Sequence, residues 1–302
     1  MRRARPGRGA ALILVLWLVA AMSLVVLAGT RSVRQSTQRA AWEMERMRAE
    51  ALLDSALQLA AQKLLQTRVT EYTGLDVQLG GNTVTIEVVP ASGLVDVHVV
   101  SDVLLQTLLQ NAGGLSASDA AILTARIRDF IDPDDIPQGN GGAEAAQYRA
   151  AGLAHVPRNA RLDDLIELRS VLGMTPDVYA KILPFLSING QQRIDIGSAP
   201  PALIDVLSGQ QGLGTMVRSS PPEMRAGLLS GSAEHLPAST GAGSQTIVRL
   251  TASARFAQGG ALWRREAWVD LRQLPGAPAP WTILALEPVR RVNQSSGQET
   301  NP

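Results

Sequence analysis

The sequence has 302 residues, no cysteine and a formal net charge of +1, and 45% of its residues are hydrophobic. This length suffices for one large domain or two ordinary ones, and the lack of cysteine excludes a disulfide scaffold, thiolate metal sites and cysteine nucleophiles. The near-neutral charge, with no basic run interleaved with aromatic residues, gives no indication of nucleic-acid binding.

The first predicted element is the uncharged apolar segment Ala10–Gly29. An apolar helix of about 20 residues spans a hydrocarbon core of ~30 Å, so this segment predicts a transmembrane helix. Arginine occupies positions 2, 3, 5 and 8 before the segment, but only positions 31 and 34 close behind it. This bias predicts a cytoplasmic leader and a body on the other side of the membrane.

Three interpretations of this N-terminus are open. A cleaved secretory signal has an apolar region of ~7–15 residues and a small-x-small exit, whereas this segment is longer and its exits are poor. A plain signal anchor would keep the helix without cleavage. The basic leader ending in Gly9 resembles that of type IV prepilins, in which a peptidase cuts after the glycine and leaves the apolar helix, here from Ala10, on the mature chain.

The helix is expected to continue beyond the membrane. Residues 31–66 contain neither proline nor glycine, and apolar residues recur at helical spacing from Met44 to Leu64. We therefore expect one continuous helix from Ala10 to about Thr67. Two helices with a break at Gly29-Thr30 are the alternative, although an interior glycine costs a helix only ~1 kcal/mol.

Short β-strands follow this helix. Leu75–Leu79 and Thr83–Val89 are predicted to form a hairpin around Gly80-Gly81-Asn82, and Leu94–Val100 is predicted as a third strand. Ser101–Gln110 then has the pattern of a helix.

Residues 115–188 are predicted to be mainly helical, with capping residues at the helix starts. The predicted helices are Ala117–Phe130 after Ser116, Leu165–Val171 after Asp163-Asp164, and one that begins at Pro176 after Thr175. The intervening segment Asp132–Asn159 is rich in glycine, proline and aspartate.

The sequence also has a weak internal repeat. Val95-Asp96-Val97 and the helix after it resemble Ile194-Asp195-Ile196 and the helix after it. Gly114-Leu115-Ser116 and Gly173-Met174-Thr175 are turns typical of helix-hairpin-helix units. Because the charge around them is acidic or neutral, we interpret these units as packing devices and not as nucleic-acid sites.

The C-terminal third predicts a long loop followed by strands. Ser219–Gly243 is predicted as a loop, and Thr246–Phe256 and Leu262–Leu271 as a hairpin. Trp281–Leu286 is predicted as a last short strand, and Gln294–Pro302 as a polar, disordered tail.

The most informative polar cluster is a run of carboxylates on either side of a glycine-rich loop, formed by Asp129, Asp132, Asp134, Asp135 and Glu144. Such close like charges repel, and a cation would relieve the repulsion. Oxygen-only ligands on a flexible loop suit Ca²⁺, although the spacing is not that of an EF-hand. A solvated acidic turn is the alternative.

No catalytic set accompanies these carboxylates in the sequence. His98, His155 and His235 are isolated, and Gly-x-Ser-x-Gly, Walker-type and His-Glu-x-x-His motifs are absent. His98 lies in a predicted strand, so we interpret it as a half-buried or edge side chain and not as a ligand.

Several ordered motifs together resemble the minor pseudopilins of the K type from type II secretion systems. They are Arg8-Gly9-Ala10-Ala11-Leu12-Ile13, Arg128–Asp134, Gly142-Ala143-Glu144 with Tyr148, Arg158-Asn159, Glu167-Leu168-Arg169 and Gly173–Pro176. Like the K type, the sequence lacks the glutamate that most pilins have at the fifth mature position, here Leu14. Asp96-Val97-His98 and Asp195-Ile196-Gly197 depart from the family's Asn-hydrophobic-Asn pattern.

The resemblance implies an α+β, pilin-like fold with a long N-terminal transmembrane helix, an antiparallel sheet and a large inserted helical domain. The expected divisions are a leader (1–9), the N-terminal helix (10–70), the first part of the β domain (71–100), the helical insertion (101–190), the rest of the β domain (191–290) and a flexible tail (291–302). Known members bind calcium, which the resemblance assigns here to Asp132, Asp134 and Glu144 first, and then to Asp129 and Asp135.

The resemblance also implies a function. A prepilin peptidase would cut between Gly9 and Ala10, and the new N-terminus would be methylated. The mature protein would be held in the bacterial inner membrane by a single span, with its body in the periplasm. It would act at the tip of the pseudopilus with minor pseudopilins of the I and J types, in the export of secreted substrates, and not as an enzyme.

Two other classes of protein remain as alternatives. A single-pass anchored periplasmic enzyme would use the carboxylates with a metal, but the sequence shows no base or nucleophile beside them. A pilin-like DNA-uptake component would use the helix-hairpin-helix turns, but the sequence offers no basic face.

Overall fold

The computed structural model describes residues 8–67, 71–139, 141–229, 238–239, 246–256, 260–273, 276 and 279–292. Residues 1–7 of the predicted leader and the predicted tail Gln294–Pro302 lie outside the described residues. The chain divides into two compact units, Met1–Leu52 and Leu53–Pro302.

The described residues form both helices and strands. The helices are α1 (Arg8–Thr67), α2 (Asp102–Asn111), α3 (Ala117–Ile131), α4 (Ala145–Ala150), α5 (Pro176–Ile182), α6 (Pro201–Ser208), α7 (Leu213–Ser219) and α8 (Pro222–Leu229). Short 3-10 helices occupy Ala91–Gly93, Leu165–Ser170 and Leu183–Phe185. The strands are β1 (Thr73–Leu79), β2 (Asn82–Pro90), β3 (Val95–Asp96), β4 (Leu186–Ser187), β5 (Ile194–Asp195), β6 (Ala238–Ser239), β7 (Ile247–Arg255), β8 (Leu262–Asp270), β9 (Thr282–Leu286) and β10 (Arg290–Val292).

Helix α1 runs from Arg8 to Thr67 without a break. The prediction of one continuous helix is therefore confirmed, and the alternative with a break at Gly29-Thr30 is wrong. The large apolar side chains from Leu12 to Leu24 are exposed. Within the residues that the structure describes, no helix is both long enough and apolar enough to cross a membrane.

The main sheet is antiparallel, with the strand order β1-β2-β7-β8-β10 and with β9 also paired to β8. The predicted hairpin at Gly80-Gly81 joins β1 to β2, and both glycines have positive φ, as a tight hairpin turn requires. Strands β2 and β7 are neighbours although far apart in sequence, and Pro90 pairs with Val248. All helices from α2 to α8 are thus inserted between two adjacent strands of one sheet.

One core lies between the end of α1 and one face of this sheet. The helix contributes fully buried residues at spacings of three and four, namely Leu53, Ala56, Ala60 and Leu64. Alternate residues of β2 are buried in the same way, as a half-covered sheet requires: Val84, Ile86 and Val88. An ion pair of 2.6 Å between Arg265 Nη1 and Asp54 Oδ1 joins β8 to the helix.

A second, larger core lies within the inserted helices. The 3-10 helix Leu165–Ser170 contributes Leu168 to this core. Helices α2, α3 and α6 contribute the buried residues Leu104, Leu108, Leu123, Ile127 and Leu203. The capping residues position these helices, since Ser116 Oγ accepts from Asp119 N and Thr175 Oγ1 accepts from Val178 N. These predicted helix starts are confirmed.

The weak internal repeat corresponds to two similar substructures. The carboxylate of Asp96, in β3, accepts from His98 N at 2.8 Å, and that of Asp195, in β5, accepts from Gly197 N at 3.1 Å. Each short strand has a parallel partner and is followed by a helix. The aspartate therefore has the same role in both copies, because it turns the chain from a strand towards a helix.

Two predictions of secondary structure need correction, and one strand was missed. The predicted strand Leu94–Val100 is reduced to β3, since Asp96 bends the chain immediately after it and its carbonyl accepts from Val100 N. The predicted loop Ser219–Gly243 contains helix α8, whose first residue is Pro222, and proline is tolerated in the first turn of a helix. The sequence analysis also missed β10, a short polar strand.

Candidate metal centre

Helix α3 delivers the first carboxylates of the acidic cluster. Its buried face includes Leu123, Ile127 and Phe130, which fixes the rotation of the helix about its axis. Asp132 has an extended conformation and is the C-cap, and Pro133 follows it. The helix therefore ends within the acidic run, after Asp129 and before Asp134, and the chain turns into a loop.

The structure brings three of the five predicted carboxylates together. Oxygens of Asp132, Asp134 and Glu144 all lie within 4.8 Å of one another. Glu144 enters the cluster at the N-cap of α4, where its backbone N–H donates to Gln147 Oε1 at 3.0 Å. The loop between α3 and α4 therefore brings Glu144, ten residues after Asp134, back to the two aspartates.

Glu144 is the central residue of this cluster. It is only 3% exposed, and neither of its carboxylate oxygens has a hydrogen-bond partner among the described residues. Asp132 Oδ1 is also buried without a described partner. Buried carboxylate oxygens normally have a donor or a cation beside them, so three orphaned oxygens in one cluster fit a metal ion.

The electrostatics of the cluster disfavour its charged form. Burial is the largest cause that raises the pKa of Glu144 to about 7, and the neighbouring carboxylates of Asp129, Asp132, Asp135 and Asp134 raise it further. The pKa of Asp132 is raised by burial and then by Asp134 and Asp129. A divalent cation would reverse both effects, because it offers the ionised oxygens a direct positive partner.

Asp129 has a different position from the three clustered residues. It is fully buried, and its carboxylate accepts from Gln138 N at 3.1 and 3.2 Å, which holds the loop against α3. Burial raises its pKa, and backbone hydrogen bonds from Gln138 and Ala143 oppose the shift. A Cβ atom on Gly142 would lie 2.2 Å from Asp129 Oδ2, so only glycine allows the loop to pass this close.

Asp135 also serves as a loop contact. Its Oδ1 accepts from Asn159 Nδ2 at 2.8 Å, and the same amide nitrogen donates to the carbonyl of Asp134 at 3.1 Å. Asn159 has a φ of +50°, a conformation that asparagine tolerates better than most residues, and its N–H donates to Phe130 O. The structure therefore separates the five predicted residues into a cluster of three and two loop supports.

Two further supports were missed by the sequence analysis. Arg126 donates through Nε to Gly141 O at 3.1 Å and through Nη1 to Leu172 O at 3.2 Å. The fully buried Tyr148, on α4, accepts from Leu172 N at 2.9 Å. Only Tyr148 had a sequence signal, since it belongs to the motif that begins at Gly142.

The other predicted site lies elsewhere in the chain. Gly9 and Ala10, where the resemblance places peptidase cleavage, belong to the first turn of α1, in the unit Met1–Leu52. His155 packs edge-on against the Tyr148 ring at 5.5 Å between centroids, and His235 lies outside the described residues.

The architecture defines the class of protein: a mixed α+β fold with a long N-terminal helix, one antiparallel sheet and a helical insertion. A chain of the solved GspK-GspI-GspJ complex from the type 2 secretion system of enterotoxigenic Escherichia coli has a similar fold. The TM-score is 0.50 at 18% sequence identity, over 88% of this chain and 99% of that chain.

Sequence comparisons find similarity to one family of proteins over part of the chain. Residues 91–190 match the family model described as type II secretion system (T2SS), protein K. Type II secretion system protein K from Pectobacterium carotovorum is 28% identical over 59% of this chain and 62% of its own length. The protein of the same name from Klebsiella pneumoniae is 34% identical over 30% of this chain and 27% of its own length.

Over the matched residues, this chain is similar to type II secretion system protein K. The matched part spans about three-fifths of the length of the Pectobacterium relative.

Proposed function

We propose that this protein is a non-enzymatic minor pseudopilin of a type II secretion system. In this function it stands at the tip of the pseudopilus and initiates assembly with minor pseudopilins of the I and J types. The pseudopilus then serves the export of folded periplasmic proteins across the outer membrane. The observation that carries the proposal is the family match over residues 91–190, which lies within the helical insertion between β2 and β7.

The insertion supports a position at the tip. A shaft subunit needs free surfaces both above and below, and a large helical insertion would obstruct a subunit stacked above. Leu14 supports the same position, since it replaces the glutamate with which most pilins contact the N-terminal amine of a neighbour. Both features are compatible with a subunit that has neighbours on one side only.

The proposal includes a membrane anchor and prepilin processing. The exposed apolar side chains of α1 include Leu12 at 69%, Trp17 at 73% and Leu24 at 72% exposure. Such side chains need an apolar environment, which the inner membrane would supply, with the body of the protein in the periplasm. Cleavage by the prepilin peptidase between Gly9 and Ala10, followed by methylation, would leave this helix on the mature protein.

The proposal also includes calcium as a structural ion. Asp132, Asp134 and Glu144 would hold it, with carbonyl and water oxygens completing the 6–8 ligands that Ca²⁺ prefers. The cation would neutralise a cluster whose carboxylates otherwise repel one another. The ligand atoms offered by the described cluster are all carboxylate oxygens, which suits calcium better than zinc.

Assembly is tested with the mature full-length chain purified in detergent together with the I-type and J-type minor pseudopilins of the same organism. The expected result is a defined complex of all three proteins in size-exclusion chromatography. If the I and J proteins associate with each other while this chain elutes alone, the proposed position at the tip is wrong.

Calcium binding is tested by calorimetry on the chain after treatment with a chelator. The wild type is expected to release heat on calcium addition, and Asp132→Asn is expected to lose most of this signal. Asp163→Asn is the matched control, because Asp163 is an exposed aspartate outside the cluster. The absence of any calcium signal in the wild type would show that the cluster is only a solvated acidic turn.

A further inference from the structure

His98 occupies a buried position between segments that are distant in sequence. Its side chain is only 3% exposed, and it lies just after β3. Its Nε2 atom accepts from the backbone N–H of Leu162 at 2.8 Å. Leu162 is 4% exposed and belongs to the core of the helical region. One imidazole nitrogen therefore holds a core segment that lies 64 residues away in sequence.

The contacts of His98 determine which nitrogen carries the hydrogen. The Leu162 N–H at Nε2 and the Arg161 guanidinium, 3.1 Å from Nδ1, are both donors, and a neutral imidazole can accept from only one of them. The shorter contact, with Leu162, places the acceptor at Nε2 and the hydrogen on Nδ1. Nδ1 lies 3.6 Å from Asp96 Oδ1. Asp96 is itself held in place, because its carboxylate accepts from His98 N at 2.8 Å and from Gly190 N at 2.7 Å.

Protonation would be incompatible with this arrangement. An imidazolium donates from both nitrogens, so Nε2 could no longer accept from Leu162, and two N–H groups would face each other. Arg161 Nη2 already lies 3.1 Å from Nδ1, and its positive charge would then stand beside a second one. Only the carboxylates of Asp96 and Glu167 would favour the new charge.

We propose that His98 is a proton-operated latch: the neutral imidazole holds Leu162, and protonation releases residues 159–162. The consequence extends to the acidic loop, because Asn159 lies in the released segment and contacts Asp134 and Asp135. Acidification would thus loosen one support of that loop through a group that is not part of the carboxylate cluster. The latch does not depend on the proposed function.

The charged groups around His98 are consistent with a neutral imidazole near neutral pH. Burial is the largest influence and lowers its pKa, and the nearby cations Arg161 and Arg128 lower it further. Asp96 from β3 and Glu167 from the 3-10 helix oppose this effect. The net shift is downward, so the latch would open below the ordinary histidine pKa of ~6.5.

Hydrogen–deuterium exchange of the full-length chain in detergent tests the latch directly. The protection of the Leu162 amide is compared at about pH 7.5 and about pH 5, on either side of the ordinary histidine pKa, after correction for intrinsic exchange. A chelator is present throughout, so the result does not depend on calcium. We expect protection in the wild type to fall about tenfold at the lower pH, as loss of one hydrogen bond allows.

Two variants assign the effect to His98. In His98→Gln, the side-chain amide oxygen can accept from Leu162 N at either pH, so the protection should not depend on pH. His155→Gln is the matched control, since it removes another histidine of the helical region and should keep the wild-type response. An unchanged wild type, or an equal loss of protection in His98→Gln, would overturn the latch.

A second measurement covers the case in which His98→Gln does not fold normally. Exchange of the histidine C2 hydrogens, followed by mass spectrometry of the wild type, gives the titration midpoint of His98 itself. The latch requires this midpoint to lie below ~6.5 and to coincide with the midpoint for loss of Leu162 protection. Two clearly different midpoints would contradict it.

Discussion

The buried charge of Glu144 leads to a prediction about the calcium-free protein. Its pKa is raised from 4.5 to about 7 in the folded chain. One pKa unit corresponds to ~1.4 kcal/mol, so the ionised carboxylate costs the folded state up to about 3 kcal/mol. Between these two pKa values the folded chain binds more protons than the unfolded chain. The contribution of Glu144 to stability is therefore present below about pH 4.5 and is lost as the pH rises through about 7.

The perturbation is Glu144→Gln, which keeps the shape of the side chain and removes its charge. Without calcium, the variant should be more stable than the wild type at about pH 8, by as much as ~3 kcal/mol, and the difference should shrink towards pH 4.5. The calcium-dependent gain in stability should be lost in the variant. If the wild type binds calcium as proposed, this gain would be ~2.7 kcal/mol at a free calcium concentration 100 times the dissociation constant.

The assay is denaturant unfolding of the full-length chain, followed by tryptophan fluorescence, with chelator or with excess calcium. Glu223→Gln is the matched control, because Glu223 lies on α8, away from the acidic loop, and its replacement should change neither result. The reasoning is refuted if Glu144→Gln is no more stable than the wild type at the higher pH in chelator. Equal stabilisation of both proteins by calcium would exclude Glu144 as a ligand.

Two further predictions concern glycines. Gly142→Ala should destabilise the acidic loop and weaken calcium binding, since its Cβ would lie 2.2 Å from Asp129 Oδ2, whereas Gly139→Ala has open space and should bind calcium normally in calorimetry. If the chain is processed as proposed, Gly9→Val should block prepilin maturation, because a valine side chain would not fit a peptidase subsite that accepts glycine. N-terminal sequencing should then find an uncut chain, while Gly7→Val should still begin at Ala10; normal cleavage of the Gly9 variant would contradict prepilin processing.

The sequence predicted those parts of the fold that have local signals. Ser116 and Thr175 mark helix starts because their side chains satisfy backbone N–H groups within the next turn. Gly80-Gly81 marks a hairpin because both positions need positive φ. The strand predicted over Leu94–Val100 is shorter in the structure because of another local interaction. Its apolar residues favour β structure, but the carboxylate of Asp96 accepts a hydrogen bond from His98 N and bends the chain.

The composition of the acidic cluster was predictable, but the roles of its members were not. Spacing alone does not determine which of the five carboxylates have oxygens without donors, and only the resemblance ranked Asp132, Asp134 and Glu144 before Asp129 and Asp135. In the structure, the carboxylate of Asp129 accepts a hydrogen bond from Gln138 N, and that of Asp135 accepts one from Asn159 Nδ2. The carboxylate of Glu144 has no hydrogen-bond partner among the described residues. Those partners come from later in the loop and beyond it, so the assignment required the tertiary structure.

The position of the insertion explains how one sheet can carry so large a helical region. The two ends of the insertion meet where Pro90 pairs with Val248, so the sheet closes as if a short turn joined β2 to β7. Two further contacts stabilise the region where the insertion joins the sheet. Tyr72 N donates to Gly197 O at 3.1 Å, and Gly93 packs closely against the carbonyl of Ser198. The family match begins at residue 91, directly after β2 ends. Because the entropy of loop closure depends only weakly on loop length, the helical region can carry its own core at little cost to the sheet.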